Sequence, residues 1–156
     1  VFGLANGTVK AVGSSVAGEL GNNTTTSACI PVNVCGVSNA ISVSAGYQNS
    51  FALLSSQLVM AWGQGTHGAI GNNSNASRST PTQVCGISNA IAIMAGVADI
   101  GYVLLADGTI KSWGSNQYGG LGAGLPTSAR CSTPVSVSGL SGIVAVGAGW
   151  GHGLAH

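Results

Sequence analysis

Charged side chains are scarce in this sequence. Only seven of the 156 residues are charged, four basic and three acidic, and the formal net charge is +1. Globular domains usually carry about 25% charged residues, whereas this chain carries 4%. A surface that binds nucleic acid needs clustered Lys and Arg to neutralise phosphates. The composition therefore predicts that the protein does not bind nucleic acid.

Long apolar runs are also missing. A helix that spans a bilayer needs about 20 consecutive apolar residues, and the runs here are far shorter, so membrane insertion is not expected. Disorder is disfavoured too, because Val, Ile, Leu and Ala recur in regular patches that can form a core. The sequence begins at Val1 without Met or a signal peptide. We expect either a processed product or a segment of a longer chain.

No group of side chains has the spacing of a catalytic or metal site. The acids and histidines are scattered along the chain, at Glu19, Asp99, Asp107, His67, His152 and His156. They form no HxxxH or HxH pattern, and the cysteines form no CxxC pattern. We therefore predict a protein that is not an enzyme and that carries no cofactor and no metal ion.

The sequence does contain an internal repeat. Gly13, Gly63 and Gly114 align with spacings of 50 and 51 residues. Three prolines recur in the same way, at Pro31, Pro81 and Pro134. A phrase follows each proline and reads in turn PVNVCGVSNAISVSAG, PTQVCGISNAIAIMAG and PVSVSGLSGIVAVGAG. The chain is thus predicted to be one repeat domain, residues 1–156, with repeats at approximately 4–53, 54–104 and 105–156.

Each repeat offers short strands and no helical periodicity. The predicted strands are Val9–Gly13, Val32–Val34, Ala40–Ser44, Ser50–Leu54, Leu58–Gly63, Thr82–Val84, Ala90–Met94, Gly101–Leu105, Thr109–Gly114, Val135–Val137, Ile143–Val146 and Gly153–Ala155. About four strands in a repeat of roughly 50 residues is typical of a propeller blade. We therefore predict an all-β fold of three tandem blades. It stays open unless further copies or the rest of a longer chain complete it.

The repeat resembles that of the regulator-of-chromosome-condensation family of β-propellers. The third copy carries the resemblance most clearly, in the phrases ADGTIKSWGSNQYGGLG, STPVSVSGL and AVGAGWGHGLA. The resemblance implies a propeller, usually of about seven blades. Its members include a nuclear exchange factor for a small GTPase, secreted inhibitors of β-lactamase and bacterial repeat proteins. The shared motifs belong to the scaffold, so the resemblance alone does not transfer a function. One departure is that Val12 stands where the other copies have Trp62 and Trp113.

The four cysteines permit disulfides without fixing them. Cys35 and Cys85 occupy the same repeat position, and Cys29 and Cys131 are expected in the loops before Pro31 and Pro134. An even number of cysteines at such positions is compatible with two disulfides in an oxidising compartment. The leading pair is Cys85–Cys131, which would tie one blade to the next. Free, buried thiols are the alternative.

Glycosylation sequons are frequent for a chain of this length. They begin at Asn6, Asn22, Asn23, Asn72 and Asn75. Asn-Gly and Asn-Asn are also ordinary turn residues, so some of these matches arise from turn composition. The matches at Asn22, Asn23 and Asn72 fall in the same loop of successive repeats. Together with the low charge, they favour a secreted or cell-surface protein.

Aromatic residues fall into two groups. Trp62 and Trp113 lie in predicted strands, where packing between blades is favoured over a ligand platform. Tyr47 and Trp150 lie in turns after Ala-Gly pairs. The second pair is the better candidate for exposed contacts with a partner.

An open set of blades predicts assembly. Two bare blade faces would expose on the order of 600 Å² of largely apolar surface. At about 25 cal/mol per Å² its burial would release up to ~15 kcal/mol. We expect a strand with Gly153, Leu154 and Ala155 to pair with a strand that contains Val9 and Val12 in a second copy.

These features predict a non-enzymatic extracellular scaffold that associates head to tail with further copies, in a filament or a ring. The alternative is a segment of a larger secreted propeller that binds another protein through its loops. A weaker alternative is an exchange-factor or chromatin role, which the missing charge disfavours.

Overall fold

The computed structural model describes residues 1–156, and almost all of its regular structure is β-strand. A single 3-10 turn, Thr66–Gly68, interrupts the strands. The strands are β1 (Phe2–Gly3), β2 (Val9–Gly13), β3 (Ala28–Asn33), β4 (Ala40–Ala45), β5 (Asn49–Leu54), β6 (Val59–Gly63), β7 (Arg78–Gln83), β8 (Ala90–Gly96), β9 (Ile100–Leu105), β10 (Ile110–Ser115), β11 (Arg130–Ser136), β12 (Val146–Ala148) and β13 (Gly153–Ala155). No helix in this chain could cross a bilayer.

The strands form four antiparallel sheets in chain order. Two are complete four-stranded sheets, β4-β5-β6-β7 and β8-β9-β10-β11. The N-terminal sheet β1-β2-β3 has three strands and the C-terminal sheet β12-β13 has two. The first strands of successive sheets, β4, β8 and β12, contact one another. The predicted all-β, blade-like and open architecture is therefore confirmed.

The boundaries of the sheets do not coincide with the boundaries of the sequence repeats. The middle repeat, residues 54–104, supplies β6 and β7 to one sheet and then β8 and β9 to the next. Every sheet boundary thus falls inside a repeat. Each repeat links two sheets covalently, so neighbouring sheets are held by the chain as well as by packing.

The outer strands begin earlier than the sequence predicted. Each predicted segment begins at the residue after a proline, whereas β3, β7 and β11 start three or more residues before Pro31, Pro81 and Pro134. Proline lacks an N–H, but an outermost strand has one unpaired edge where no donor is needed. The prediction Ile143–Val146 was shifted, because the strand there is β12, Val146–Ala148. The short strand β1 coincides with residues that align with a predicted strand of the next repeat, Ser50–Leu54.

The core is divided into three apolar clusters, one at each junction between sheets. The N-terminal junction is built around Val9, Leu20 and Trp62. The central junction is the largest and is built around Phe51, Val84, Ile93 and Trp113. The C-terminal junction is the smallest and contains Ile100, Tyr102, Leu104, Ile110 and Leu121. A core of this kind makes each sheet depend on its neighbours.

Candidate binding surfaces

Two buried tryptophans connect neighbouring sheets. Trp62 on β6 and Trp113 on β10 have no measurable exposure. Nε1 of Trp62 donates to the carbonyl of Glu19 at 2.8 Å, and Nε1 of Trp113 donates to the carbonyl of Ala69 at 3.0 Å. Each acceptor lies in the loop of the preceding sheet. The expected packing of these indoles between blades is confirmed.

Three exposed aromatics gather instead around a groove of about 430 Å³. Hairpin turns of three successive sheets and two longer loops form it. We call it the aromatic groove, and its main side chains are Tyr47, His67, Asp99, Gln117, Tyr118 and Trp150. Tyr47 is 71% exposed, Trp150 59% and Tyr118 50%. Large side chains that remain this accessible are available to a partner.

Two side-chain pairs bridge adjacent sheets in the groove. The rings of Tyr118 and Trp150 pack with centroids 4.7 Å apart and planes tilted by 44°. Nδ1 of His67 lies 3.3 Å from Oδ2 of Asp99. In both pairs the first residue lies in a loop of one sheet and the second in the hairpin turn of the next. These contacts restrain the groove walls before any partner binds.

The groove is lined by aromatic rings, amides and one acid–base pair. Gln48 and Gln64 add amide donors and acceptors to its wall. Asp99 and His67 are its only acid and base, and each already has the other as a neighbour. Aromatic faces next to uncharged amides suit contact with another polypeptide. The sequence pointed to Tyr47 and Trp150 but missed Tyr118, His67 and Asp99, because their loops meet only after the sheets pack.

Comparison with known families decides the classification. The profile described as "Regulator of chromosome condensation (RCC1) repeat" matches residues 6–53, 58–98 and 107–156. A second profile of the same description matches residues 40–69. This chain belongs to the RCC1 repeat family. None of the curated proteins matches the sequence closely enough to count as a relative.

Solved RCC1-type structures share the fold. Yeast Prp20p from Saccharomyces cerevisiae, described with its binding properties to Gsp1p and histones, is 18% identical over 94% of this chain with a TM-score of 0.81. Yeast RCC1 (Prp20) bound to Kap60 is 22% identical over 96% with a TM-score of 0.74. Human WBSCR16 is 20% identical over 90% with a TM-score of 0.74.

This chain spans only 37–39% of the length of these RCC1-type proteins. Its sheets therefore correspond to part of a larger propeller in each of them. Identities this low show the shared fold and carry no activity with them.

The predicted disulfide receives no support from the structure. All four cysteines are free thiols. Cys29 and Cys131 lie within β3 and β11 and not in loops. They are also one position out of register, since Cys29 precedes Pro31 by two residues and Cys131 precedes Pro134 by three. Adjacent strand positions face opposite sides of a sheet, so the two cysteines are not equivalent.

The four thiols also differ in burial. Cys131 packs against the C-terminal junction, and burial raises the pKa of its thiol. Cys29 and Cys35 are exposed, whereas Cys85 is half-buried. A raised pKa keeps Cys131 protonated and slows its reaction as a nucleophile.

The sequon asparagines differ in exposure and in the hydrogen bonds of their side chains. Oδ1 of Asn6 accepts from both the N–H and the hydroxyl of Thr8. Asp107 does the same for Thr109 in the equivalent turn, so Asn6 has a local structural role. Asn23 and Asn75 are exposed, and Asn22 and Asn72 are half-buried with an unpaired Oδ1.

The two strands proposed for self-association differ in how many of their edges are already paired. β13, with Gly153, Leu154 and Ala155, pairs with β12 on one side only. β2, with Val9 and Val12, is paired on both sides, to β1 and to β3. β1 pairs with β2 at two positions, Phe2 with Lys10 and Gly3 with Val9. A second copy could reach β2 only by displacing these two pairs.

Proposed function

We propose that this chain is a non-catalytic protein-binding segment of an RCC1-type propeller, and that the aromatic groove is its binding surface. The observation that carries the proposal is the convergence of three exposed aromatics, Tyr47, Tyr118 and Trp150, on one groove. Tyr and Trp dominate the energetically important positions of protein interfaces. The pairs Tyr118–Trp150 and His67–Asp99 already restrain the groove, which reduces the entropy lost on binding.

The similar solved structures support the class of partner. Their descriptions name Kap60, Gsp1p and histones as proteins bound by RCC1-type propellers. This chain has 4% charged residues, so a partner that depends on charge complementarity fits poorly. A partner segment with apolar and amide side chains suits the groove. An exchange-factor or chromatin role is accordingly the least supported proposal.

Affinity capture with a matched pair of variants tests this proposal. Tyr47→Ala combined with Trp150→Ala removes two groove aromatics, whereas Ile30→Ala removes a similarly exposed apolar side chain on β3, outside the groove. A protein retained by the original chain should bind the double variant at least tenfold more weakly. It should bind Ile30→Ala unchanged. A partner held equally by all three chains would place its site outside the groove.

Self-association is a second candidate, and the free edge of β13 favours it. An unpaired edge presents N–H and C=O groups that another strand can take up. Leu154 in this edge is 68% exposed, and so few charges offer little repulsion between copies. Sedimentation velocity at micromolar concentration should then show rings or filaments. A monodisperse 15.2 kDa particle would contradict the candidate, and the groove proposal would be untouched.

An extracellular location is also a proposal. Its support is the low charge and the sequons in exposed loops, at Asn23 and Asn75 above all. Expression with a secretion signal in a eukaryotic host should add N-glycans at these positions. Mass spectrometry that finds both asparagines unmodified would remove this support.

A further inference from the structure

The turn residues of the aromatic groove are exposed in every sheet that contributes one. Tyr47, Val97 and Trp150 follow the same Ala-Gly pair in three successive sheets, and all three are exposed. Tyr47 is the most exposed of them, although β4, the strand before its turn, contacts both β1 and β8 of the adjacent sheets. The accessible aromatic faces are therefore a property of this end of the sheets, including sheets that are flanked on both sides.

Turns and loops form most of the groove, so it offers no strand edge to an extended partner. Tyr47 and Gln48 lie in the turn between β4 and β5, and Val97 lies in the turn between β8 and β9. Gln117 and Tyr118 lie in the loop after β10. Addition of a strand needs a row of unpaired N–H and C=O groups along an edge. The occupant must therefore be held by side chains.

Three glutamines supply the hydrogen-bonding groups. The backbone N–H of Gln64 donates to the carbonyl of Gln48, and that of Gln117 donates to the Ser115 hydroxyl. Neither bond uses a side-chain amide, so the three amides on the groove wall can bind a partner. Each amide has two N–H donors. An α-helix uses its carbonyls internally, whereas a polyproline II helix has no internal hydrogen bonds and leaves its carbonyls free to accept.

The aromatic rings provide faces for proline. The Tyr118 and Trp150 rings are in contact and form one continuous apolar face, and Tyr47 supplies a second face from an earlier sheet. Aromatic-lined grooves of this kind bind polyproline II segments. Packed sheets lie about 10 Å apart, so the two steps from the sheet of Tyr47 to that of Trp150 cover at most about 20 Å. Six or seven residues, at about 3.1 Å each, span this length.

The charges of the groove favour an uncharged occupant. His67 and Asp99 are the only acid and base among the lining residues, and they lie 3.3 Å from each other. A charged group of a partner would lose water here without gaining an unpaired charge of opposite sign. Proline and other uncharged residues do not incur this cost.

Given the proposed function, on which this inference rests, we propose that the aromatic groove binds an uncharged, proline-rich segment in the polyproline II conformation. Proline rings of the segment lie on Tyr47 and on the Tyr118–Trp150 pair. Its carbonyls accept from the side-chain amides of Gln48 and Gln117. The groove and the segment are both largely formed before they meet, so little conformational entropy is lost.

The fluorescence of Trp150 reports on the groove directly. Trp150 is exposed, whereas Trp62 and Trp113 are buried, so a change of emission that depends on solvent contact arises from Trp150. Titration of the 156-residue chain with a nonaproline peptide, blocked at both ends, should give a saturable blue shift at millimolar concentration. A blocked Gly-Ser peptide of the same length is flexible and should give none. No saturable shift with nonaproline, or an equal response to both peptides, would overturn the proposal.

Variants and salt locate the binding. Tyr47→Ala leaves the reporting indole in place and should weaken nonaproline about tenfold, whereas Ile30→Ala, outside the groove, should not. Raising the salt from about 0.05 to 0.5 M should change the affinity by less than about twofold, because no new charge pair forms. Equal affinity of Tyr47→Ala and the original chain, or a steep salt dependence, would overturn the proposal. So would a saturable shift with maltohexaose and none with nonaproline.

Failure of this inference is distinguishable from failure of the proposed function. A captured protein whose binding depends on Tyr47 and Trp150, together with no response to nonaproline, would overturn the polyproline II assignment and retain the groove as the binding surface. A captured protein that binds the Tyr47→Ala, Trp150→Ala double variant as tightly as the original chain would overturn the proposed function.

Discussion

The central and C-terminal junctions use nearly the same residues in the same order, yet only one of them is closed. At the central junction Trp113 fills the space between Gly71 and Gly101, and the surrounding side chains are buried. At the C-terminal junction Gly122 and Gly153 face a cavity, and Leu140 remains partly exposed. The C-terminal sheet has two strands where the central sheets have four, and the indole of the third strand is among the parts it lacks. This difference shows that a sheet in this fold is closed by a side chain that belongs to its third strand.

The sizes of the interactions explain why one side chain matters so much. A buried Trp removes about 150–250 Å² from water, which at about 25 cal/mol per Å² corresponds to roughly 4–6 kcal/mol. Its hydrogen bond to a loop carbonyl adds about 1 kcal/mol. Whole domains are stable by only about 5–15 kcal/mol. A junction with an indole and a junction without one should therefore differ measurably in stability.

Removing the indole from the closed junction should have the largest effect. Trp113→Ala opens a cavity in the largest apolar cluster and leaves the Ala69 carbonyl without its donor. We expect a loss of about 3–5 kcal/mol in the free energy of unfolding, measured by urea denaturation. Trp150→Ala is the control, because that indole is exposed and should change stability by less than about 0.5 kcal/mol. Similar losses in the two variants would contradict the assigned role of Trp113.

A methyl group on the two equivalent glycines gives a sharper comparison. Gly101→Ala forces a Cβ into the Trp113 ring, whereas a Cβ on Gly153 would stand 3.1 Å from the ring of Tyr102 and face the cavity. Overpacking of a filled site costs about 1–3 kcal/mol. We expect that range for Gly101→Ala and clearly less for Gly153→Ala, in thermal or urea unfolding. Equal destabilisation by the two substitutions would contradict the difference in packing between the two sites.

The hydrogen bond of Tyr102 should give the smallest of these effects at neutral pH. Tyr102→Phe removes the donor to Gly120 and should cost about 1 kcal/mol. Burial raises the pKa of the Tyr102 phenol from 10.0 to about 12. The unfolded chain therefore loses this proton first, and the stability that depends on it is present below pH 10 and lost as the pH rises through 12. Urea unfolding at a series of pH values should show a steeper alkaline decline for the original chain than for Tyr102→Phe, and parallel profiles would argue against a buried phenol.

The sequence predicted the repeated architecture better than its details. The phrases around Trp62 and Trp113 and the recurring glycines were sufficient for all-β sheets in tandem. The outer strands begin earlier than predicted because they include Pro31, Pro81 and Pro134, which an outer edge tolerates. Cys29 and Cys131 stand at different distances from their prolines. This difference in the sequence already indicates that the two thiols are not equivalent.

The candidate sites were harder to predict because they arise between sheets. Tyr118 and Trp150 are 32 residues apart in sequence, and their stacking depends on how a loop of one sheet meets a turn of the next. The cavity beside β13 brings Gly120 and Gly153 together with Tyr102, which no local pattern reveals. The sequence contained one relevant sign, the valine at Val12 where two other copies have tryptophan. Its meaning became clear only from the contacts of Trp113.

Hydrogen exchange at backbone amides tests most directly the claim that an indole-bearing third strand closes the two complete sheets. In the free chain, amides of β9 should exchange slowly and those of β13 several orders of magnitude faster, since only β9 is covered by such a strand. Equal protection of β9 and β13 would contradict the claim.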